Sequence, residues 1–198
     1  MADVVLLNSG GSNYTSLQSA FERLGASCKQ SANADDIANA SHVVLPGVGS
    51  AASAMQAIKQ QSLAGIIRGL KQPLLGICLG MQVLFDYSEE SDINCLGIIA
   101  GNIRKLPATQ GIRVPHMGWN TVTVQHGNQL LNGLHGKDFY FVHSYAAEVA
   151  PQSIALSEHG VQFTAATQQG NFYGVQFHPE RSGAQGQQLL ENFLSISA

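Results

Sequence analysis

The sequence predicts an α/β fold, with a mostly parallel sheet flanked by helices. Three observations predict it. The continuous apolar runs Val4–Leu7, Val43–Leu45 and Leu74–Ile77 have the length and composition of strands buried on both faces. Each run ends in a glycine-bearing turn, and apolar residues at helical spacing follow. The 198 residues are enough to bury a sizeable core, so a single domain spanning 1–198 is expected.

The first strand, Val4–Leu7, gives way to the turn N-S-G-G-S-N at Asn8–Asn13. Thr15 and Gln18 have the spacing of a capping box, and Leu17, Phe21 and Leu24 stack along the helix that follows. Gly25 ends it. Strand, glycine-rich turn and helix can build a phosphate site, but the full dinucleotide fingerprint is missing. A short strand is expected near Cys28. The strand Val43–Leu45 then runs into P-G-V-G-S at Pro46–Ser50, ahead of a helix from Ala51 to Gln60. A loop in that position lies at the carboxyl edge of a parallel sheet, where ligands bind.

The third apolar run carries the candidate chemistry. In P-L-L-G-I-C-L-G-M-Q, Pro73–Gln82, Cys78 stands between Gly76 and Gly80 at the junction of a strand and a helix spanning Leu79 to Phe85. This is the nucleophile elbow of the serine esterases, with cysteine in place of serine. The start of a helix favours an anionic sulfur. The backbone N–H of Leu79 and one from Gly47, Val48 or Gly49 are candidate oxyanion donors. Gln82 lies one helical turn beyond Cys78 on the same face, within reach of a substrate amide. Glu89 and Glu90 read as a solvated pair.

From Ile98 to Val124 the pattern turns β-like, with a glycine-containing loop P-H-M-G-W-N at Pro115–Asn120. Its methionine and the chain's one tryptophan are residue types enriched at protein contacts. A strand at Phe139–Val142 leads to His143-Ser144-Tyr145, where His143 could serve as a base or as structure. The strand Phe172–Phe177 opens into His178-Pro179-Glu180-Arg181-Ser182. In extended backbone, residues two apart share a side, so His178 and Glu180 project together. A closing helix carries Leu189, Leu190, Phe193 and Leu194 on one face.

Cysteine, histidine and an acid make a set for nucleophilic acyl transfer, with Cys78 as nucleophile, His178 as base and acid, and Glu180 orienting the imidazole. This chemistry does not name the amide, and a cysteine peptidase would fit it equally.

Composition narrows the classes. The formal net charge is −3, without a lysine or arginine run, so nucleic acid is not expected as a partner. Charged residues make up 12% of the chain, against a usual ~25%, which suggests that a partner covers part of the surface. No apolar run is long enough for a signal or a membrane span, and three cysteines without metal spacing suit a reducing cytoplasm. Neither metal nor cofactor is called for.

The pair G-I-C-L-G-M-Q and H-P-E resembles the signature of the class I (triad) glutamine amidotransferases. P-G-V-G is similar to their oxyanion loop. P-H-M-G-W-N, Y-F-V-H-S-Y and H-P-E-R-S resemble, more narrowly, the glutaminase subunits of imidazole glycerol phosphate synthases. The resemblance spans essentially the whole chain. It implies a flavodoxin-like fold and hydrolysis of L-glutamine to glutamate and ammonia. The ammonia would pass to a (β/α)₈-barrel cyclase subunit, which converts PRFAR to imidazole glycerol phosphate and AICAR in histidine biosynthesis. It implies Cys78, His178 and Glu180 as the triad, Val48, Gly49 and Leu79 at the oxyanion, and Gln82, Glu90, His143, Ser144 and Tyr145 at glutamine. Asn13, Met117, Trp119 and Arg181 would face the cyclase. The glutaminase of another amidotransferase and an independent cysteine hydrolase, a peptidase or a γ-glutamyl hydrolase, are the alternatives. The acidic chain offers no basic pocket for a doubly phosphorylated substrate, so that substrate belongs on the partner. Ammonia made without an acceptor is lost to water, so such a glutaminase should be slow alone.

Overall fold

The computed structural model describes residues 3–8, 14–108 and 111–197. The chain runs β1 (Asp3–Leu7), α1 (Tyr14–Arg23), β2 (Ser27–Ser31), α2 (Ala34–Asn39), β3 (His42–Gly47), α3 (Ala51–Gln60), α4 (Leu63–Arg68) and β4 (Leu74–Cys78). A single helical turn, α5 (Leu79–Gln82), follows, then β5 (Phe85–Ser88), β6 (Ile93–Asn94), β7 (Ile99–Lys105), β8 (His116–Val124) and β9 (Lys137–His143). The last part holds β10 (Tyr145–Ala147), β11 (Ser153–His159), β12 (Val161–Gln169), β13 (Phe172–Val175), a 3-10 turn at Pro179–Arg181 and α6 (Gly183–Leu194).

Five neighbouring strands, β2-β1-β3-β4-β13, are parallel. That is the flavodoxin-like strand order, with β13 as fifth strand. Beyond it the sheet turns antiparallel through β12, β10 and β7, and β11, β8 and β9 continue it off to one side.

Side chains two apart share a face of a strand, and both faces here are buried. Val4, Leu6, Val44, Leu75 and Ile77 pack into one core with Leu17 and Phe21 of α1 and Leu189 and Phe193 of α6. Val5, Leu7, Val43, Leu45 and Leu74 pack into the other with Ile37 of α2, Ile58 of α3 and Ile67 of α4. Gly25, at φ 78°, reverses the chain after α1, as its type predicts.

Two expectations differ. The helix after Cys78 lasts one turn, and Phe85 opens a strand instead of extending it. Pro115–Asn120 is not a loop: His116–Asn120 form the first half of β8, in register with β9 from His116↔His143 to Val122↔Lys137. Alternation explains this, because His116 and Val122 are buried while Met117, Trp119 and Thr121 face out.

Candidate active site

Strand register builds the site. β4 lies between β3 and β13, with Gly47 opposite Cys78 on one side and Val175 opposite Ile77 on the other. Cys78 therefore ends an interior strand at the carboxyl edge of the parallel sheet. Its backbone is at φ 53° and ψ −111°, a conformation that strains any residue with a Cβ. The close packing around it requires glycine. A Cβ on Gly80 would lie 1.8 Å from the carbonyl oxygen of Leu45, and one on Gly47 would lie 2.5 Å from the nitrogen of Gly80. The turn carrying the thiol thus rests directly on the backbone of β3.

A cavity of about 490 Å³ opens here. Gly47, Val48 and Gly49 form one wall, with Cys78, Leu79 and Gln82 beside them. His143, Ser144 and Tyr145 line it as well, together with Glu90, Arg181 and His178. The candidate substrate and oxyanion residues therefore converge on one space with the thiol.

His178 follows β13 and is 6% exposed at its side chain. Its Nδ1 donates to Oε1 of the fully buried Glu180 at 2.9 Å. Burial would discharge the ring, but the thiol of Cys78 and the carboxylate of Glu180 outweigh it and raise the His178 pKa to about 10. Nε2 is buried, and Cys78 supports the charged ring both as a hydrogen-bond partner and by charge. The backbone of His178 is clamped as well. Its N–H donates to Tyr140 O at 2.9 Å. Its carbonyl accepts from Ser182 Oγ at 2.6 Å, and that hydroxyl oxygen accepts from Tyr140 N–H at 3.0 Å.

The sulfur has two polar neighbours besides the imidazole. Val142 O is placed to accept the thiol hydrogen at 3.9 Å, and Gln176 Nε2 donates to Sγ at 3.7 Å. Gln82 Nε2 donates to Tyr145 O at 2.8 Å and to Gln176 Oε1 at 2.9 Å, so only its carbonyl oxygen remains for a substrate. His143 donates from Nδ1 to the same Tyr145 carbonyl at 2.9 Å, and burial drives its pKa down to about 3. A ring so weakly basic stays neutral at neutral pH. Glu90 is not a solvated acid. Its Oε2 accepts the N–H of Ala51 at 2.7 Å, at the start of α3 just beyond the glycine loop.

The docking candidates lie beside the cavity. Met117 and Trp119 are 64% and 58% exposed. Trp119 meets the ring of Tyr140 edge-on at 6.2 Å, and the Arg181 guanidinium sits over that ring at 4.6 Å. Arg181, which lines the cavity, is thus joined through Tyr140 to the exposed strand face. Asn13 lies outside the described residues.

Sequence reasoning missed Gln176 and Ser182. Gln176 stands two residues before His178 on an extended segment, the same spacing that singles out Glu180. Ser182 carries no such signal, because its role depends on the turn at Pro179–Arg181.

The glutamine amidotransferase class-I family model matches residues 5–196. The chain is 48% identical over 196 residues to imidazole glycerol phosphate synthase subunit HisH 2 of Legionella pneumophila (strain Paris), covering 98% of each chain. It is 46% identical to the HisH subunit of Xanthomonas euvesicatoria pv. vesicatoria (strain 85-10), over 100% of this chain and 99% of that one. The fold matches a crystal structure of a glutamine amidotransferase with a TM-score of 0.73 at 18% identity, covering 96% of this chain and 98% of the other. The elbow cysteine and its histidine–glutamate pair therefore sit in a chain that belongs to the class-I glutamine amidotransferases, among the HisH subunits of imidazole glycerol phosphate synthase.

Proposed function

We propose that the chain, acting as one glutaminase domain over residues 1–198, hydrolyses L-glutamine at Cys78 and hands the ammonia to a cyclase subunit of (β/α)₈-barrel form. The glutaminase role in imidazole glycerol phosphate synthesis, within histidine biosynthesis, follows from the family. The observation that carries the residue assignments is the convergence of Cys78, the buried His178–Glu180 pair and the candidate glutamine contacts on one cavity.

The Cys78 thiolate attacks the side-chain amide carbon of glutamine. The N–H groups of Leu79 and of Val48 or Gly49 hold the oxyanion. His178 delivers its proton to the leaving nitrogen, ammonia departs, and a thioester to Cys78 remains. His178 then takes a proton from water as it attacks the thioester, releasing glutamate and restoring the thiolate–imidazolium pair. Glu180 holds the ring and supports its charge in both halves. Gln82, Glu90 and His143–Tyr145 surround the bound amino acid. Met117, Trp119 and Arg181, with Asn13, face the cyclase. No described helix is long and apolar enough to cross a membrane, and a cytoplasmic location suits this role.

The test is glutamate release by the chain alone, then with the cyclase and its ribonucleotide. A slow rate alone and a large rise in the complex is the expected result. Fast turnover unchanged by the partner would make the chain an independent hydrolase. Cys78→Ala should abolish glutamine-dependent synthesis and leave synthesis from added ammonia intact.

A further inference from the structure

We infer that Gln176 is a further catalytic residue, whose side-chain N–H holds the Cys78 thiolate, and that Gln82 sets the polarity of that amide. This deepens the proposed reaction and rests on Cys78 being its nucleophile.

The register places Gln176 beside the sulfur. Val175 pairs with Ile77, so the next residues, Gln176 and Cys78, meet where β13 and β4 end. Gln176 is fully buried, and Phe177 and Gln82, both also buried, pack around the same strand end. Its backbone N–H donates to Ala165 O at 2.9 Å, which fixes the main chain there.

The direction of every hydrogen in this chain follows from one carbonyl. Tyr145 O can only accept. The Gln82 atom 2.8 Å from it must therefore be the nitrogen. That nitrogen has a second hydrogen, and 2.9 Å away lies one side-chain atom of Gln176, which must then be its oxygen. The remaining Gln176 atom, 3.7 Å from Sγ, is the nitrogen. The sulfur thus receives a donor. With the amide reversed, an oxygen would face the thiolate and repel it. His143 keeps Tyr145 O in place from the other side at 2.9 Å.

A buried donor to the charged form of a group favours that form. Here it counteracts Val142 O, which suits the neutral thiol. The titratable and charged groups around the sulfur are His178 and, behind it, Glu180, and the neutral His143, Glu90, Arg181 and Tyr145, which line the same cavity. Gln176 is the one neutral side chain that donates to Sγ among the described residues.

The experiment measures iodoacetamide alkylation of Cys78 against pH in the full chain. Peptide mapping separates Cys78 from Cys28 and Cys95. Gln176→Met keeps the length of the side chain and removes the donor, so the alkylation midpoint should rise by about one pH unit. An unchanged midpoint in a variant that melts like the parent would overturn the inference. Should Gln176→Met fail to fold, Gln82→Met frees the amide to turn over, and a smaller rise is expected; no rise would again overturn it. Alkylation does not require glutamine turnover. Persistent glutamine hydrolysis in Cys78→Ala would instead remove the nucleophile assignment on which the inference rests.

Discussion

The Nδ1 of His116 lies 3.1 Å from the Nε2 of His143, and the hydrogen between them belongs to His116. His143 spends its own hydrogen on Tyr145 O, so its Nε2 can only accept. The Nε2 of His116 then has a free lone pair, which accepts from Asn120 Nδ2 at 3.2 Å. Asn120 also donates to Glu158 O, which anchors this end of the row. Both rings must be neutral for it to form. Burial lowers the pKa of His116 to about 4, helped by His159, and that of His143 to about 3.

Acid should therefore undo this region. In the unfolded chain both rings take protons near pH 6.5, which the folded chain refuses until about pH 4 and pH 3. The unfolded state binds more protons across that window, so stability falls as pH falls through it. The expected slope is about 1.4 kcal/mol per pH unit for each ring. His178 does not oppose this, because it is protonated in both states there. Urea unfolding at a series of pH values measures the slope, and His116→Phe should flatten it by one ring's share. The same variant strands Nε2 of His143 and should cost about 1–3 kcal/mol at neutral pH.

His178 behaves in the opposite sense. Its raised pKa means that the charged ring contributes stability below about pH 6.5. That contribution persists through neutral pH and is lost as pH rises toward about 10. Glu180→Gln keeps the shape of the acid and removes its charge. The alkaline loss, which begins near pH 6.5 in either protein, should then be smaller and complete at lower pH, and glutamate release in the complex should fall by about 10²-fold. His178→Asn removes the proposed proton carrier and should cost about 10³-fold or more. Equal activity of Glu180→Gln and parent across the pH range would take Glu180 out of the triad.

The elbow is defined by contact as much as by conformation. Gly80→Ala drives a methyl group into the Leu45 carbonyl, 1.8 Å away and fixed in β3. The backbone cannot yield without moving Cys78, so stability should fall by about 3 kcal/mol or more, and activity with it. Gly65→Ala provides the contrast. Gly65 lies in α4 with open space where a Cβ would go, so alanine there should add about 0.5–1 kcal/mol and leave turnover unchanged. Thermal unfolding and glutamate release on both variants separate the two cases.

The parallel half of this fold was legible because its strands are buried on both faces. Val4–Leu7, Val43–Leu45 and Leu74–Ile77 carry that burial as unbroken apolar runs. Cys78, His178 and Glu180 were legible because a glycine bracket and an alternation of two are local patterns. The antiparallel half speaks more softly. β11 and β12 hide Ala155, Ala165 and Ala166 among serines, threonines and glutamines, and small residues carry little hydrophobic signal. The glycine in Pro115–Asn120 suggests a loop, but the pairing of β8 with β9 overrides that local preference. The orientation of Gln176 was illegible for a deeper reason. It depends on a carbonyl 31 residues away in sequence and on a glutamine from a third element.

Trp119 tests the proposed docking face. It lies on the outer face of β8, opposite the face on which His116 joins the buried row, packs edge-on against Tyr140 and is 58% exposed. Replacing it by alanine removes one ring contact from the free chain, so the unfolding free energy should change by about 0.5 kcal/mol or less. Its cost should appear in assembly. An exposed tryptophan beside an exposed methionine and an arginine stacked on tyrosine has the composition of an interface centre, where truncation costs about 2 kcal/mol or more. The dissociation constant for the cyclase subunit, measured by calorimetric titration, should therefore rise at least about 30-fold for Trp119→Ala. Alkylation of Cys78 in the free chain should stay at the parental rate, because no hydrogen bond in the row from Asn120 to the sulfur involves the indole. Loss of Cys78 reactivity without weakened association would place Trp119 in the support of the active site and move the docking face elsewhere.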